Sequence, residues 1–440
     1  MSVVQRNADT SQSAGQQKGL PVLFTITIAL FLVPREFGFE VGSVLLMPHR
    51  IWLMLIAPFV LMRAATQLVH RLGVADWLFF LFAGWMMLSF AVKYDTGYLV
   101  ESGGITFLET VIPYLLARLT ITSPADVVRM AKGWFLIVCA LLVVAAAESL
   151  GGGLIIHPVL KDITGATLRF NSDFRLGMVR ALTVFEHAIM YGAFASCLFG
   201  LVWYLERDTF MRVVKAGVIG LATFFSLSSG PILALWLQLF FVTWSWAMTQ
   251  LGIRVQLVSL TIFATLAFVS AELFTGGRTM TILIELLTFD PHSGWVRIFV
   301  NDWAIRQMEG QPLFGLAYED WGRARWIPFT TIDNFWLWCS LRFGYPAVAA
   351  LVACVAWLTV RFAILSDAKD TPPLLRAVAA GSFIFTLTFL LIGYTVHFFG
   401  ANYLFIFLML GSLGCVAERA RLPARQPRRM QVPRMAGAGT

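Results

Sequence analysis

With 440 residues, 58% of them hydrophobic and only 13% charged, the chain carries about half the charge of a soluble globular domain. That balance, with a mean hydropathy of +0.75, excludes a water-soluble enzyme and points to a polytopic helical membrane protein, since lipid forces backbone polar groups to be satisfied within helices. The net charge of +8 reads as a topology signal and attraction to anionic headgroups, and the chain has no nucleic-acid footprint.

Residues 1–19 are polar, rich in Gln and Ser, and read as a disordered cytoplasmic tail. The apolar run from residue 20 is followed by many others, so it reads as a retained helix and not a cleaved signal. Twelve spans are predicted, at 20–34, 44–63, 75–92, 104–120, 131–149, 181–204, 212–227, 230–248, 255–274, 333–361, 377–397 and 401–418. Together they make one transmembrane domain over 20–418, followed by a basic cytoplasmic tail over 419–440 that faces lipid. Lys and Arg gather in alternate short connections: Arg63 and Arg71, then Arg118, Arg129 and Lys132, then Arg207, Arg212 and Lys215, then Arg361, Lys369 and Arg376. The other connections hold little beyond Arg35, Arg50 and Lys93, so both termini are expected inside. The five cysteines fall in or near spans without CxxC spacing and read as small apolar core residues.

Two outer segments, 150–180 and 275–332, are too long to be connectors. The second contains "WVRIFVNDWAIRQM", in which Trp295, Ile298, Phe299, Trp303 and Ile305 fall broadly on one side, as in a helix roofing a cavity at the membrane interface. Outer arginines are the informative residues, because positive charge is normally depleted on that side. Arg278, Arg306 and Arg323 read as solvated. Arg180, leading into the sixth span, and Arg297, set among Trp and Phe, are suited to a bidentate grip on phosphate or carboxylate. Arg323 and Arg325 add cations upstream of the tenth span.

In "RALTVFEHAIMYG", Glu186 and His187 lie near the outer end of a span that is otherwise free of ionisable groups until its far end. They are either an anchoring pair or functional groups. Asp333 and Asn334 open the tenth span, where a short polar side chain can cap free N–H groups. A cap needs no aromatic wall, however, and Trp326, Phe329, Phe335, Trp336 and Trp338 surround this one. Rings beside polar groups hold sugars, so the cluster also reads as a pocket for an amphipathic, anionic, ring-containing substrate. Phosphate-loop, dinucleotide-binding, zinc-hydrolase and serine-hydrolase motifs are absent, and no acidic cluster suits Mg²⁺, so no metal or other cofactor is expected.

Three features in order resemble the bacterial O-antigen ligase and O-antigen/exopolysaccharide polymerase superfamily. They are the Arg-led "RALTVFEHAIMYGAF", the outer-loop "WVRIFVNDWAIRQMEGQPLFG", and "TIDNFWLWCSLRFGYP" with its polar opening and Gly break. The resemblance covers about residues 165–350, and the twelve-span layout extends it to the whole chain. It implies a metal-independent, inverting-type glycosyltransferase on the periplasmic face of the bacterial inner membrane, taking an oligosaccharide from an undecaprenyl-pyrophosphate carrier. It also implies membrane lipids, a flippase and a chain-length regulator as partners. By this likeness Arg180 and Arg297 hold the pyrophosphate. From the residues themselves, Arg325 adds a cation to that grip, Asp333 or His187 suits the base, and Asn334, Trp326 and Trp336 suit a sugar. Asp333 stands where ligases have His, and "SSGP" (Ser228–Pro231) lacks the Arg usual there, which favours a polymerase over a ligase. A twelve-helix transporter is the rival from another class, but the halves of the chain do not match.

Overall fold

In a computed structural model the chain is described over residues 21–419, except 43, 69–70, 168–169, 171, 254, 277, 280, 283–290 and 324–331. Arg325 and Trp326 lie outside the described residues. Helix α1 (Val22–Phe31) leads to a small hairpin, β1 (Phe39–Val41) with β2 (Val44–Leu46), in which Phe39 pairs with Leu46. Then come α2 (Pro48–Gln67), α3 (Val74–Lys93), α4 (Gly104–Thr120) and α5 (Pro124–Gly151). A short α6 (Ile156–Thr164) and the hairpin β3 (Phe174–Arg175) with β4 (Met178–Val179) precede α7 (Ala188–Ser196) and α8 (Phe199–Leu205). Next are α9 (Thr209–Phe225), α10 (Ser229–Gln250), α11 (Gln256–Thr275) and α12 (Pro291–Glu309). The chain closes with α13 (Phe335–Phe343), α14 (Tyr345–Asp367), α15 (Pro373–Ile392) and α16 (Ala401–Arg419).

The described residues are thus mostly helical, and among them nine helices are long and apolar enough to cross a membrane. Among the described residues, sheet is confined to the two hairpins. Several boundaries differ from the sequence reading for local reasons. The run 44–63 begins as a strand, and Pro48 starts the helix, because proline suits a first helical turn, whose N–H groups have no partner. The run 181–204 is not helical before Ala188. The run 333–361 is two helices, divided where Gly344 takes a φ of 83°.

The bundle packs around α4, α14, α15 and α16, with α16 along α4 and α14 against both α3 and α15. A side chain at Gly411 would meet the Tyr114 carbonyl at 2.3 Å, so α16 and α4 touch backbone to backbone. Tyr114 stacks on Phe79 with centroids 3.7 Å apart. Below them Arg118 donates to Asp76 at 2.5 Å and Tyr114 donates to its other oxygen at 2.8 Å, tying α3 to α4. Arg118, read from the sequence as a loop cation, is therefore a buried half of an ion pair.

Candidate functional site

At the opposite end of α3 from Asp76, three loops and two helix starts converge. The first contribution is the non-helical segment 180–187 ahead of α7. It does not become helix because the buried Glu148 of α5 accepts the backbone N–H groups of Leu182 and Thr183, at 3.0 and 2.9 Å. The same carboxylate accepts from Ile155 at 3.1 Å. Thr183 is held at a φ of 55°, a conformation non-glycine residues seldom adopt. Glu148 thereby fixes the directions of Arg180 and His187 at the two ends of the segment.

Arg180 is almost fully buried. Its guanidinium donates to Asp173 at 3.2 Å and to the Ser228 hydroxyl at 2.8 Å, while its Nε has no partner. Ser228 belongs to the "SLSSGP" turn between α9 and α10, and Arg175 donates to the carbonyl of Leu227 in that same turn. Burial, with Arg175 and Arg297 nearby, lowers Arg180 to about 10 against the opposing pull of Asp173. The group remains a cation at neutral pH.

The second contribution comes from α12. Val300, Ala304 and Met308 bury one face of this helix against Trp321, Ile332 and Leu341. Trp295, Phe299 and Ile305 are on the exposed side, whereas Trp303 packs against the buried cluster and donates to the Gly322 carbonyl at 3.0 Å. Arg297, partly buried, donates through Nε to Asp333 at 3.0 Å.

The third contribution is the start of α13, and it separates the two roles weighed for the Asp–Asn pair. Asn334 is the cap: its side chain accepts from the Leu337 N–H at 3.0 Å. Asp333 is left to pair with Arg297 and is 38% exposed. The segment is anchored from below by the Phe335 N–H on the Gly393 carbonyl, at 2.7 Å. The "PLFG" turn after α12 locks in beside it, since Leu316 and Ala317 donate to the carbonyls of Leu341 and Arg342. A Cβ at Gly344 would lie 1.9 Å from the Leu313 carbonyl, so the two glycine-bearing motifs, distant in sequence, are in contact. Arg342 supports that junction by donating to the carbonyls of Ala317 and Glu319.

His187 lies in the field of Arg180, Asp333, Asp173 and Arg297, and burial, with Arg180 next, lowers its pKa. Its Nδ1 accepts the Ile189 N–H at 3.1 Å and caps α7. A neutral His187 therefore carries its proton on Nε2 and presents a donor to the site. That geometry speaks against His187 as the base.

Of the two roles weighed for it, Asn334 takes that of the helix cap. One sequence expectation needs correction. Trp336 is core: it is buried, donates to the Leu390 carbonyl at 3.0 Å and packs on Phe389, so it does not wall a sugar pocket. Arg323 pairs with Asp320 at 3.3 Å.

Three residues were missed, Glu148, Asp173 and His397, while Ser228 was noted only as the start of a motif lacking its Arg. His397 sits in the non-helical stretch between α15 and α16, which the sequence reading counted as span. It is buried against Trp338, with ring centroids 4.8 Å apart, and neither ring nitrogen has a partner. Burial drives it down to about 4, with Asp333 pulling the other way and Arg342 adding to the fall. The only hint in the sequence was a histidine beside a Gly-Ala-Asn break.

The assembled site has three cations, Arg175, Arg180 and Arg297, against two carboxylates, Asp173 and Asp333, with neutral histidines between them. A net positive, partly dry cluster at the end of an apolar bundle can hold a diphosphate, and Asp333 can take a proton. No protein-family model matches the chain, and a search of curated proteins finds no match.

Proposed function

We propose that the protein is a membrane glycosyltransferase of the O-antigen ligase and polymerase type, joining undecaprenyl-diphosphate-linked oligosaccharides into exopolysaccharide, capsule or O-antigen. In this reading the nine long helices, with α1, α2 and α9, make twelve crossings of the bacterial inner membrane. Both termini are cytoplasmic, and the arginine cluster faces the periplasm. The observation that carries it is the meeting of Arg180 and Arg297, 117 positions apart, around His187 and Asp333.

Diphosphate is already a good leaving group. The protein has only to stabilise its developing charge and to deprotonate an acceptor hydroxyl. Arg180 and Arg297 supply the first requirement, and His187 adds an N–H donor. Asp333 supplies the second: a diphosphate that takes over Arg297 frees the carboxylate to accept the hydroxyl proton. Polyprenyl tails account for a site built where loops meet lipid.

The test is Arg297→Lys in cells whose own polymerase has been replaced by the variant. Lys keeps the charge but loses the fork. Polymer on a gel is expected to fall by about 100-fold or more, the usual cost of one transition-state donor, while the protein accumulates normally. Near-normal polymer from that variant would refute the reading.

A further inference from the structure

A cavity of about 270 Å³ lies beside the arginine cluster and plays no part in the chemistry above. Val184, Phe185 and Glu186 line it, and the next residue in the chain, His187, faces the cluster. Phe399 and Gly400 line it as well, two and three positions beyond His397, which lies in the field of Asp333. The same two short segments therefore border both spaces. Asn402 joins them by donating to the Met190 carbonyl at 2.8 Å.

The walls of the two spaces differ in charge. The cluster carries excess positive charge. In the cavity Arg35 pairs with Glu186 at 2.8 Å, and Arg50 pairs with Glu109 at 2.6 Å. The count is two against two, and His49, almost fully buried, has an Nδ1 without a partner. Balanced donors and acceptors beside the rings of Phe185 and Phe399 suit a neutral polyhydroxylated ring, bound through its hydroxyls and its apolar face. The volume is near the lower limit for small organic ligands, about 300 Å³, and so fits one sugar residue and not a chain.

We propose that this cavity is the acceptor subsite, holding the terminal sugar whose hydroxyl is glycosylated. The proposal rests on the transferase reading above. In the step it serves, the acceptor oxygen bonds the donor's anomeric carbon. The bond from that carbon to the diphosphate oxygen breaks with its electron pair on the diphosphate, and the hydroxyl proton passes to Asp333.

The experiment uses the full chain in nanodiscs and two probes, undecaprenyl diphosphate and the cell's own oligosaccharide repeat freed from its lipid. Thermal stabilisation reports binding of each. Val184→Trp, which fills the cavity, and the milder Glu186→Gln are expected to raise the apparent Kd for the oligosaccharide about tenfold or more, with undecaprenyl diphosphate unchanged within about twofold. Arg297→Lys should do the reverse. The acceptor proposal is overturned if the wild-type chain does not bind the oligosaccharide, if both cavity variants bind it normally, or if they lose both probes together. The transferase reading fails separately if Arg297→Lys leaves diphosphate binding intact.

Discussion

The two ends of the bundle each bury an arginine, and the contrast between them separates structure from site. Arg118 and Asp76 are both almost fully buried, one cation to one carboxylate, with Tyr114 completing the shell. Around Arg180 there are three cations to two carboxylates, and both acids are open to solvent, Asp173 at 61% and Asp333 at 38%. An unpartnered Nε does not distinguish the two ends, since both arginines have one. What does distinguish them is charge balance together with access. A closed neutral pair joins helices, whereas an open cationic excess remains available to an anion.

The sharpest way to break this comparison is to delete one carboxylate at each end. Asp76→Ala strands a buried guanidinium and is expected to cost about 3–5 kcal/mol, enough to remove the protein from the membrane fraction. Asp333→Ala strands nothing of that kind, because Arg297 is reachable by water, so the protein should accumulate while polymer is lost. Immunoblots of membranes beside polysaccharide gels read both outcomes. Equal accumulation of the two variants would erase the distinction.

How much of this was legible in the sequence follows the same division. The helices were, because each apolar run announces itself locally. Arg180 and Arg297 stood out as candidates, because the Lys and Arg pattern of the short connections assigns them to the side expected to be poor in cations. The partners that give them meaning were not legible: Glu148 acts on a loop more than thirty residues away, and the turn of Ser228 was read for the Arg it lacks, not for the hydroxyl that Arg180 reaches. Aromatic richness around Asn334 suggested a sugar wall, but composition cannot tell a ring that lines a pocket from one that fills a core. Trp336 is the second kind. His397 was hidden inside an apolar run, and only the end of α15 at Ile392 exposes it as a loop residue.

Glu148 offers the next test. Gln in its place keeps one acceptor but turns an N–H₂ toward either Ile155 or the Leu182–Thr183 pair. The less costly orientation faces Ile155, so the loss should be roughly 2–3 kcal/mol from one broken charge-assisted bond and one unsatisfied donor. Because the strained loop carries Arg180 and His187, polymer should fall further than protein level does. A matched fall in both would make Glu148 a plain core residue.

His397 should respond to acid. Its folded value near 4 lies below the ordinary histidine value, so the unfolded chain binds the proton more readily. Stability is therefore complete above about pH 6.5 and is lost as pH falls, by about 2 kcal/mol at pH 5. Melting of the purified protein between pH 7 and pH 5 should show that slope, and His397→Leu should flatten it. A slope that survives the substitution belongs to another group.

The smallest expected effect divides Asn334 from its neighbour. Its oxygen caps α13 through the Leu337 N–H, and removing a cap of this kind costs about 1 kcal/mol. Asn334→Ala should thus lower the melting point by a few degrees and leave the acceptor's KM where it was. Asp restores a capping oxygen as good as that of Asn, so Asn334→Asp should recover the stability. It also sets a second carboxylate beside Asp333, adding negative charge next to the Arg297 pair where the diphosphate is to bind. Asn334→Asp is therefore expected to fold like wild type yet bind undecaprenyl diphosphate several-fold more weakly. Asn334→Ala should be its mirror image, slightly less stable with binding intact. If Asn334→Ala raised the acceptor's KM at unchanged stability, the residue would be touching sugar after all, and the cap would be incidental.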